Sequence, residues 1–237
     1  MAALSGTLLN AATVLIGGLL GTVVGDRLPD RLRENVVKGV GLFVTAMGVK
    51  FAIDTTNLLF LLVAMLLGGI VGSLSRLDAR LVGLGESLQR RFARGGPSTV
   101  AEAFVTAAIV FCVGPLTFLG SIQNGLAGDA TLLSVKSVLD GFTAIALAAT
   151  LGWGVLLTVP LILLYQGGLA IGASIFAGVL TELQLREMNA VGGLLLIGVG
   201  LKLLNIRDVK VADFLPAIVL SPLVVAAFGK VLEALGK

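Results

Sequence analysis

The chain has 237 residues, of which 57% are hydrophobic and only 13% are charged. Soluble domains carry about 25% charged residues to face water, so this composition excludes a soluble domain and predicts a polytopic membrane protein whose main partner is the lipid bilayer. The formal net charge of +3 agrees with an excess of lysine and arginine in the cytoplasmic loops of a membrane protein, where these residues set the orientation. It gives no reason to expect nucleic-acid binding.

Eight apolar segments are long enough to cross a bilayer, since a spanning helix needs about 20 mostly apolar residues. The sequence therefore predicts an all-α membrane helix bundle in a single domain, 1–237. The predicted spans are 4–25, 36–53, 57–74, 101–120, 131–150, 153–179, 188–204 and 211–232. Glycines spaced four apart, Gly17/Gly21/Gly25 and Gly68/Gly72, are typical of faces where helices pack closely.

Basic residues predict the orientation of the bundle. With eight spans, most lysines and arginines fall on one side, which should be cytoplasmic and should leave the N-terminus outside. Pro160 and Gly167-Gly168 could divide span 153–179 into two, and the side of the C-terminus stays open for that reason.

The longest polar connection, about 76–98, is amphipathic between Arg76 and Arg94. Leucines recur there every three or four residues, with arginines between them. This pattern predicts a helix lying in the cytoplasmic interface, and a gate or a partner-binding helix is the alternative.

Lys50 and Lys202 each end a similar glycine-rich apolar run. Four of ten aligned positions are identical: Gly41/Gly193, Leu42/Leu194, Gly48/Gly200 and Lys50/Lys202. Repeat one (about 1–75) would then match repeat two (about 153–235) around central spans in 101–150, and the five-span offset would make the copies run in opposite directions. Inverted repeats are typical of secondary transporters, whose sites lie near the bilayer midplane between the copies. Chance similarity between Gly/Leu-rich helices is the alternative, and both lysines could simply extend to the interface.

The fifth span contains two ionisable residues four positions apart, Lys136 and Asp140, with Ser137 beside them. Residues at this spacing share a helix face. A carboxylate at this depth needs a partner and should face the protein interior or a water-filled cavity, so the pair predicts ion coupling or polar-substrate binding. A structural ion pair that holds the bundle together is the alternative.

Other polar residues are weaker candidates. Gln123 and Asn124 lie in a polar joint, 121–129, which predicts an external turn or a re-entrant loop that lines a pathway. Asn10 and Gln166 lie within spans, where interhelical hydrogen bonding is the usual role. Since the chain has no histidine and one cysteine, His/Cys metal sites and histidine-assisted hydrolytic triads are excluded, and we expect no metal, cofactor or enzymatic activity.

Several short motifs together resemble the uncharacterised bacterial inner-membrane proteins of the YqgA type. They are Gly6-Thr7-Leu-Leu-Asn10, Leu28-Pro29-Asp30-Arg31-Leu32-Arg33-Glu34, Lys136-Ser137-Val-Leu-Asp140-Gly141-Phe142, Asn189-Ala190-Val191-Gly192-Gly193-Leu194 and Asp213-Phe214-Leu215-Pro216-Ala217. The resemblance covers nearly the whole chain and implies a multi-pass protein of the bacterial cytoplasmic membrane, without assigning any catalytic residue. From the repeat and the buried pair, we expect a small secondary transporter or channel for an unidentified small solute or ion. A non-transporting membrane scaffold or assembly protein is the alternative, and the glycine-rich faces are compatible with a homodimer.

Overall fold

The structure, a computed structural model, describes residues 2–25, 27, 29–92, 100–112, 115–176 and 180–234. This part of the chain is all-α, as predicted, and contains no strand. Its helices are α1 (Ser5–Gly25), α2 (Asp30–Ala52), α3 (Leu58–Leu74), α4 (Leu77–Phe92), α5 (Val100–Cys112), α6 (Pro115–Ala127), α7 (Thr131–Leu151), α8 (Thr158–Ile171), α9 (Ala173–Phe176), α10 (Glu182–Leu203) and α11 (Pro216–Ala234). Short 3-10 helices cover Ala2–Leu4, Trp153–Leu157 and Val211–Phe214.

Among the described residues, five helical stretches are long and apolar enough to cross a membrane. They are Ser5–Gly25, Glu34–Ala52, Thr131–Leu151, Trp153–Ile171 and Val211–Phe228. Two bent helix pairs raise the number to seven: α3 with the start of α4, at 55°, and α5 with α6, at 71°. The predicted membrane helix bundle is therefore confirmed at the level of five to seven spans, whereas the count of eight stays a prediction.

The fourth predicted span corresponds to a bent pair of helices. Residues 101–120 do not form one helix, because α5 ends at Cys112 and a second helix, α6, begins at Pro115. Proline has no N–H to continue a helix from the preceding turn, but it suits a first helical position. Of the two alternatives for the joint 121–129, the external turn was wrong, since α6 continues to Ala127 with Ser121 and Asn124 buried. The polar side chains that suggested a loop, Ser121 and Asn124, face the interior of the protein instead. The re-entrant loop stays a prediction, because α5 and α6 form a bent pair.

Other helix boundaries differ mainly at polar ends. α10 begins at Glu182 rather than at 188, because Thr181 forms a capping box with Gln184 that stabilises the polar first turns. α2 begins at Asp30 rather than at 36. The amphipathic helix predicted in 76–94 is α4, although residues 93–99 lie outside the described part, as do 177–179 in the predicted sixth span.

The longest helix contact joins α1 and α7, which run parallel. A Cβ atom placed on Gly17, Gly21 or Gly25 would lie 2.4, 2.3 or 2.5 Å from a carbonyl oxygen of α7, those of Gly141, Ile145 and Ala149. Only glycine allows this approach of the two backbones, which confirms the predicted packing face on α1.

Two further helix pairs pack antiparallel through glycines. In the pair of α2 and α10, a Cβ on Gly48 would lie 2.6 Å from the Gly193 oxygen, and a Cβ on Gly200 would lie 2.9 Å from the Gly41 oxygen. In the pair of α3 and α11, a Cβ on Gly68 would lie 2.4 Å from the backbone nitrogen of Ala217. These pairs contact one another through α10 and α11, which makes one bundle of the chain.

Candidate functional site

Lys136 and Asp140 form a buried ion pair on α7, with 4% and 6% of their surfaces exposed. The carboxylate has a second partner on α1, because the amide Nδ2 of Asn10 donates a hydrogen bond of 3.0 Å to Asp140 Oδ2. Buried charges are costly unless they are paired and hydrogen-bonded, and this carboxylate has both kinds of partner. The predicted pair is therefore present, and the structure adds Asn10 to it.

Local structure explains how these groups meet. Lys136 and Asp140 are one helical turn apart, so their side chains lie on one face of α7. The close packing of α1 on α7 brings Asn10, a residue without exposed surface, against that face. Ser137 is also buried, but its hydroxyl donates to the Leu133 carbonyl at 2.6 Å within the same helix. The hydroxyl of Ser137 thus has its hydrogen-bond acceptor within its own helix.

A small cavity of about 50 Å³ lies against the ion pair on the side of α2. Its wall contains Phe43, Met47 and Phe51 of α2, and Thr143 of α7 lies beside the pair. Counted as the space open to the centre of a water molecule, one buried water needs roughly 10–15 Å³, so the cavity has room for a few water molecules. The pair therefore contacts α1 on one side and a cavity on the other.

Asn124 and Gln123 lie at the end of α6. Asn124 is fully buried, its Oδ1 accepts from the backbone N–H of Gly6 at 3.0 Å, and its Nδ2 donates to the Ser5 hydroxyl at 3.2 Å. Gln123 donates to Asp129 at 2.9 Å. Hydrogen bonds from the hydroxyl and the backbone N–H of Thr131 hold the pKa of the Asp129 carboxyl below its usual range. These side chains join α6 to the starts of α1 and α7.

Neither Lys50 nor Lys202 lines the cavity beside the ion pair. They lie at opposite ends of the α2–α10 contact, because Lys50 follows the Gly48–Gly193 crossing and Lys202 follows the Gly41–Gly200 crossing. Lys50 is exposed at the last turn of α2, where a cation complements the helix dipole. Lys202 is 37% exposed and lies 3.6 Å from both Glu102 and Asp208.

Glu187 was not a candidate from the sequence, although it is fully buried in α10. Its Oε1 accepts from the backbone N–H and the hydroxyl of Thr56, both at 2.7 Å, and its Oε2 accepts from the Thr55 hydroxyl at 2.6 Å. The carboxylate thereby fastens the turn between α2 and α3 to α10. The only feature of the sequence that could have indicated its role is the position of this acidic residue, just before an apolar span.

Comparisons with known proteins agree with this picture of a membrane bundle. The chain is 32% identical to the uncharacterised protein YqgA of Escherichia coli (strain K12) over 221 residues, which cover 91% of this chain and 94% of that protein. It is 27% identical to the uncharacterised membrane protein YdfK of Bacillus subtilis (strain 168) over 224 residues, which cover 93% and 95%. No solved structure matches the chain. The family described as "Protein of unknown function (DUF554)" matches residues 5–226, and the chain belongs to this uncharacterised membrane-protein family.

Proposed function

We propose that the protein is a small secondary transporter or channel that moves a small solute or ion across the bacterial cytoplasmic membrane. The observation that carries the proposal is the Lys136–Asp140 pair, which is buried between Asn10 and a cavity. Ionisable residues inside membrane proteins are rare, and they typically mark substrate or ion pathways. The pair would form the polar element of such a pathway.

Reciprocal glycine contacts support an inverted repeat of three spans. If Gly41 is equivalent to Gly193 and Gly48 to Gly200, a two-fold axis converts the Gly41–Gly200 contact into the Gly193–Gly48 contact. Both contacts are present between α2 and α10. The antiparallel packing of α3 on α11 agrees with the same relation. Transporters built in this way bind their substrates between the two copies.

Contacts between helix ends support eight crossings with both termini on one side. One end of the bundle contains the Gly6–Asn124 and Thr56–Glu187 hydrogen bonds, and the other contains the Lys202–Glu102 ion pair. Arg27, Arg76 and Lys210 lie towards this second end, where α1 ends and α11 begins. By the positive-inside rule, this end would be cytoplasmic and the N-terminus would be outside.

A non-transporting scaffold is the second candidate. Its support is the small size of the cavity, about 50 Å³, together with the close backbone contacts at Gly17, Gly21 and Gly48. In this alternative, the ion pair would only connect helices, and water would not reach it from either side of the membrane.

Water access to the cavity distinguishes the two functions. Thr143 lines the cavity, so a Thr143→Cys variant in a Cys112→Ala background should react with a membrane-impermeant, water-soluble thiol reagent. Ala144→Cys is the matched control, because Ala144 is fully buried on the next position of α7 and packs against α1. Equal protection of both cysteines, in vesicles of either orientation, would refute a transport pathway at the ion pair.

A further inference from the structure

We propose that four buried oxygen atoms beside the ion pair form a binding site for one monovalent cation of the size of Na⁺. This oxygen cluster consists of Thr7 Oγ1, Asn10 Oδ1, Ser121 Oγ and Gln166 Oε1. All four residues are at most 1% exposed. Within the described part of the chain, none of these atoms has a hydrogen-bond partner, and neither does the amide nitrogen Nε2 of Gln166, which a water molecule bound with the cation would satisfy. Buried polar atoms are almost always paired with protein, water or an ion, so unpaired oxygens in one region of the bundle indicate a bound ion or water.

The oxygen cluster is brought together by the packing of α1, α6 and α8. Gly6 of α1 is hydrogen-bonded to Asn124 of α6, and Thr7 Cγ2 lies 4.0 Å from a Cβ built on Gly167 of α8. A Cβ built on Gly125 of α6 would lie 2.1 Å from the Ala170 oxygen of α8. The three helices are therefore in mutual contact at this end of the bundle.

Helix register places the four side chains at similar depths. Ser121 and Gln166 each lie four residues before the Gly125–Ala170 contact, which puts them on the contacting faces of two helices that run the same way. Thr7 adjoins Gly167, and Asn10 lies three residues further along the same face of α1. By this register, the cluster extends over about one helical turn, roughly 5 Å.

The orientation of Asn10 connects the cluster to the ion pair. Its amide nitrogen donates to Asp140, so its amide oxygen points away from the carboxylate and is available to a ligand. Asp140 is already neutralised by Lys136. A ligand of the cluster would thus meet neutral oxygens, with the charged groups behind Asn10.

Neutral oxygen donors define the class of ligand. Hydroxyl and amide oxygens are ligands for hard cations, whereas thiolate and imidazole ligands favour transition metals. Calcium and magnesium sites generally include carboxylates, and the carboxylate that adjoins the cluster, Asp140, is balanced by an ammonium group. A single positive charge therefore fits this set of ligands better than a divalent ion.

The inference deepens the proposed function, since a bound cation could be the coupling ion, but its binding can be measured without transport. The full-length protein, purified in detergent, is heated at constant ionic strength in NaCl, KCl or choline chloride. A saturable rise in the melting temperature is expected in Na⁺, roughly 5 °C at a hundredfold excess over Kd, and a smaller rise is expected in K⁺. The absence of any Na⁺-dependent rise would overturn the inference.

Variants assign the effect to the oxygen cluster. Thr7→Val and Gln166→Leu should each abolish the Na⁺-dependent rise, whereas Thr7→Ser, which keeps the oxygen, should retain it. Thr22→Val is the matched control on α1, because the Thr22 hydroxyl donates to the Gly18 carbonyl at 2.8 Å, outside the cluster. A full Na⁺ response in both Thr7→Val and Gln166→Leu would also overturn the inference.

The two proposals fail in different experiments. If Na⁺ stabilises the protein through the cluster but Thr143→Cys stays protected from the thiol reagent, the cation site is correct and the transport pathway is wrong. If Thr143→Cys reacts but Na⁺ has no effect on melting, the pathway stands and the cation site is wrong.

Discussion

Neutralising Lys136 and Asp140 one at a time and then together tests how strongly this pair is coupled. In Lys136→Met, a carboxylate is left in the bundle with Asn10 as its remaining donor; in Asp140→Asn, an ammonium group is left without its anion. Both side chains are at most 8% exposed, so the charge that remains is poorly solvated. Removing one member of a buried pair typically costs about 3–5 kcal/mol.

The double variant Lys136→Met/Asp140→Asn has no charge at either position of the pair. The amide introduced by Asp140→Asn keeps an oxygen for the Asn10 amide, so one hydrogen bond can remain where the pair was. Replacing both charges of a buried pair is often close to neutral, and we expect a cost of about 1–2 kcal/mol or less. The double variant should therefore be more stable than either single variant, which is the opposite of additive behaviour.

Unfolding of the purified protein in mixed micelles, with an increasing fraction of denaturing detergent, measures these free energies. The predicted cycle requires a coupling of at least about 4 kcal/mol between the two sites. Costs that simply add, with the double variant least stable, would show that the two groups do not act as a pair. A folded double variant would also be the right protein for measuring whether transport needs the charges.

Two further variants test the packing and the buried acid, with the same unfolding assay. Gly48→Ala would place a methyl group 2.6 Å from the Gly193 oxygen and should lower the free energy of unfolding by about 1–3 kcal/mol. In the control Gly39→Ala, on the same helix, the new methyl group meets nothing within 4 Å, and stability should be unchanged or higher by up to about 1 kcal/mol. Equal effects of the two variants would refute the α2–α10 contact. Glu187→Gln turns an amide group towards the threonine donors and should lower the free energy of unfolding by about 2 kcal/mol or more. The control Glu182→Gln, at an exposed position of α10, should change it by less than about 0.5 kcal/mol. If Glu187→Gln has no effect on stability, the three hydrogen bonds of Glu187 do not stabilise the turn.

Local patterns in the sequence were enough to predict the pair and the long apolar helices. The spacing of Lys136 and Asp140 placed both on one face, and the apolar runs gave α1 and α7 to within one residue at each end. The glycine spacing on α1 predicted a close contact, but not that its partner would be α7. Partners far apart in the chain leave no local pattern, which is why the bond between Asn10 and Asp140 was not predicted.

Buried polarity caused the errors. A run with Ser121, Gln123 and Asn124 was interpreted as a joint because hydrophobicity alone cannot distinguish a solvated turn from a helix whose polar groups face inward. The same ambiguity hid Glu187, whose threonine partners come from the turn after α2. In both places, the three-dimensional partners decide the structure, and their positions follow from packing between distant helices.

Helix packing alone does not account for the ion pair. The glycine contacts between α1 and α7 occur at Gly6 and then at Gly17, Gly21 and Gly25, and Asn10 lies in the gap between them. A buried ion pair usually contributes no more stability than apolar side chains of the same volume, so a bundle that only had to hold its helices together would gain nothing from charges in that gap. Ionisable residues at such positions in membrane proteins are instead typical of substrate or ion pathways. For this reason, we favour our proposal of transport over the scaffold for a pair that lies between the amide of α1 and a cavity beside α2.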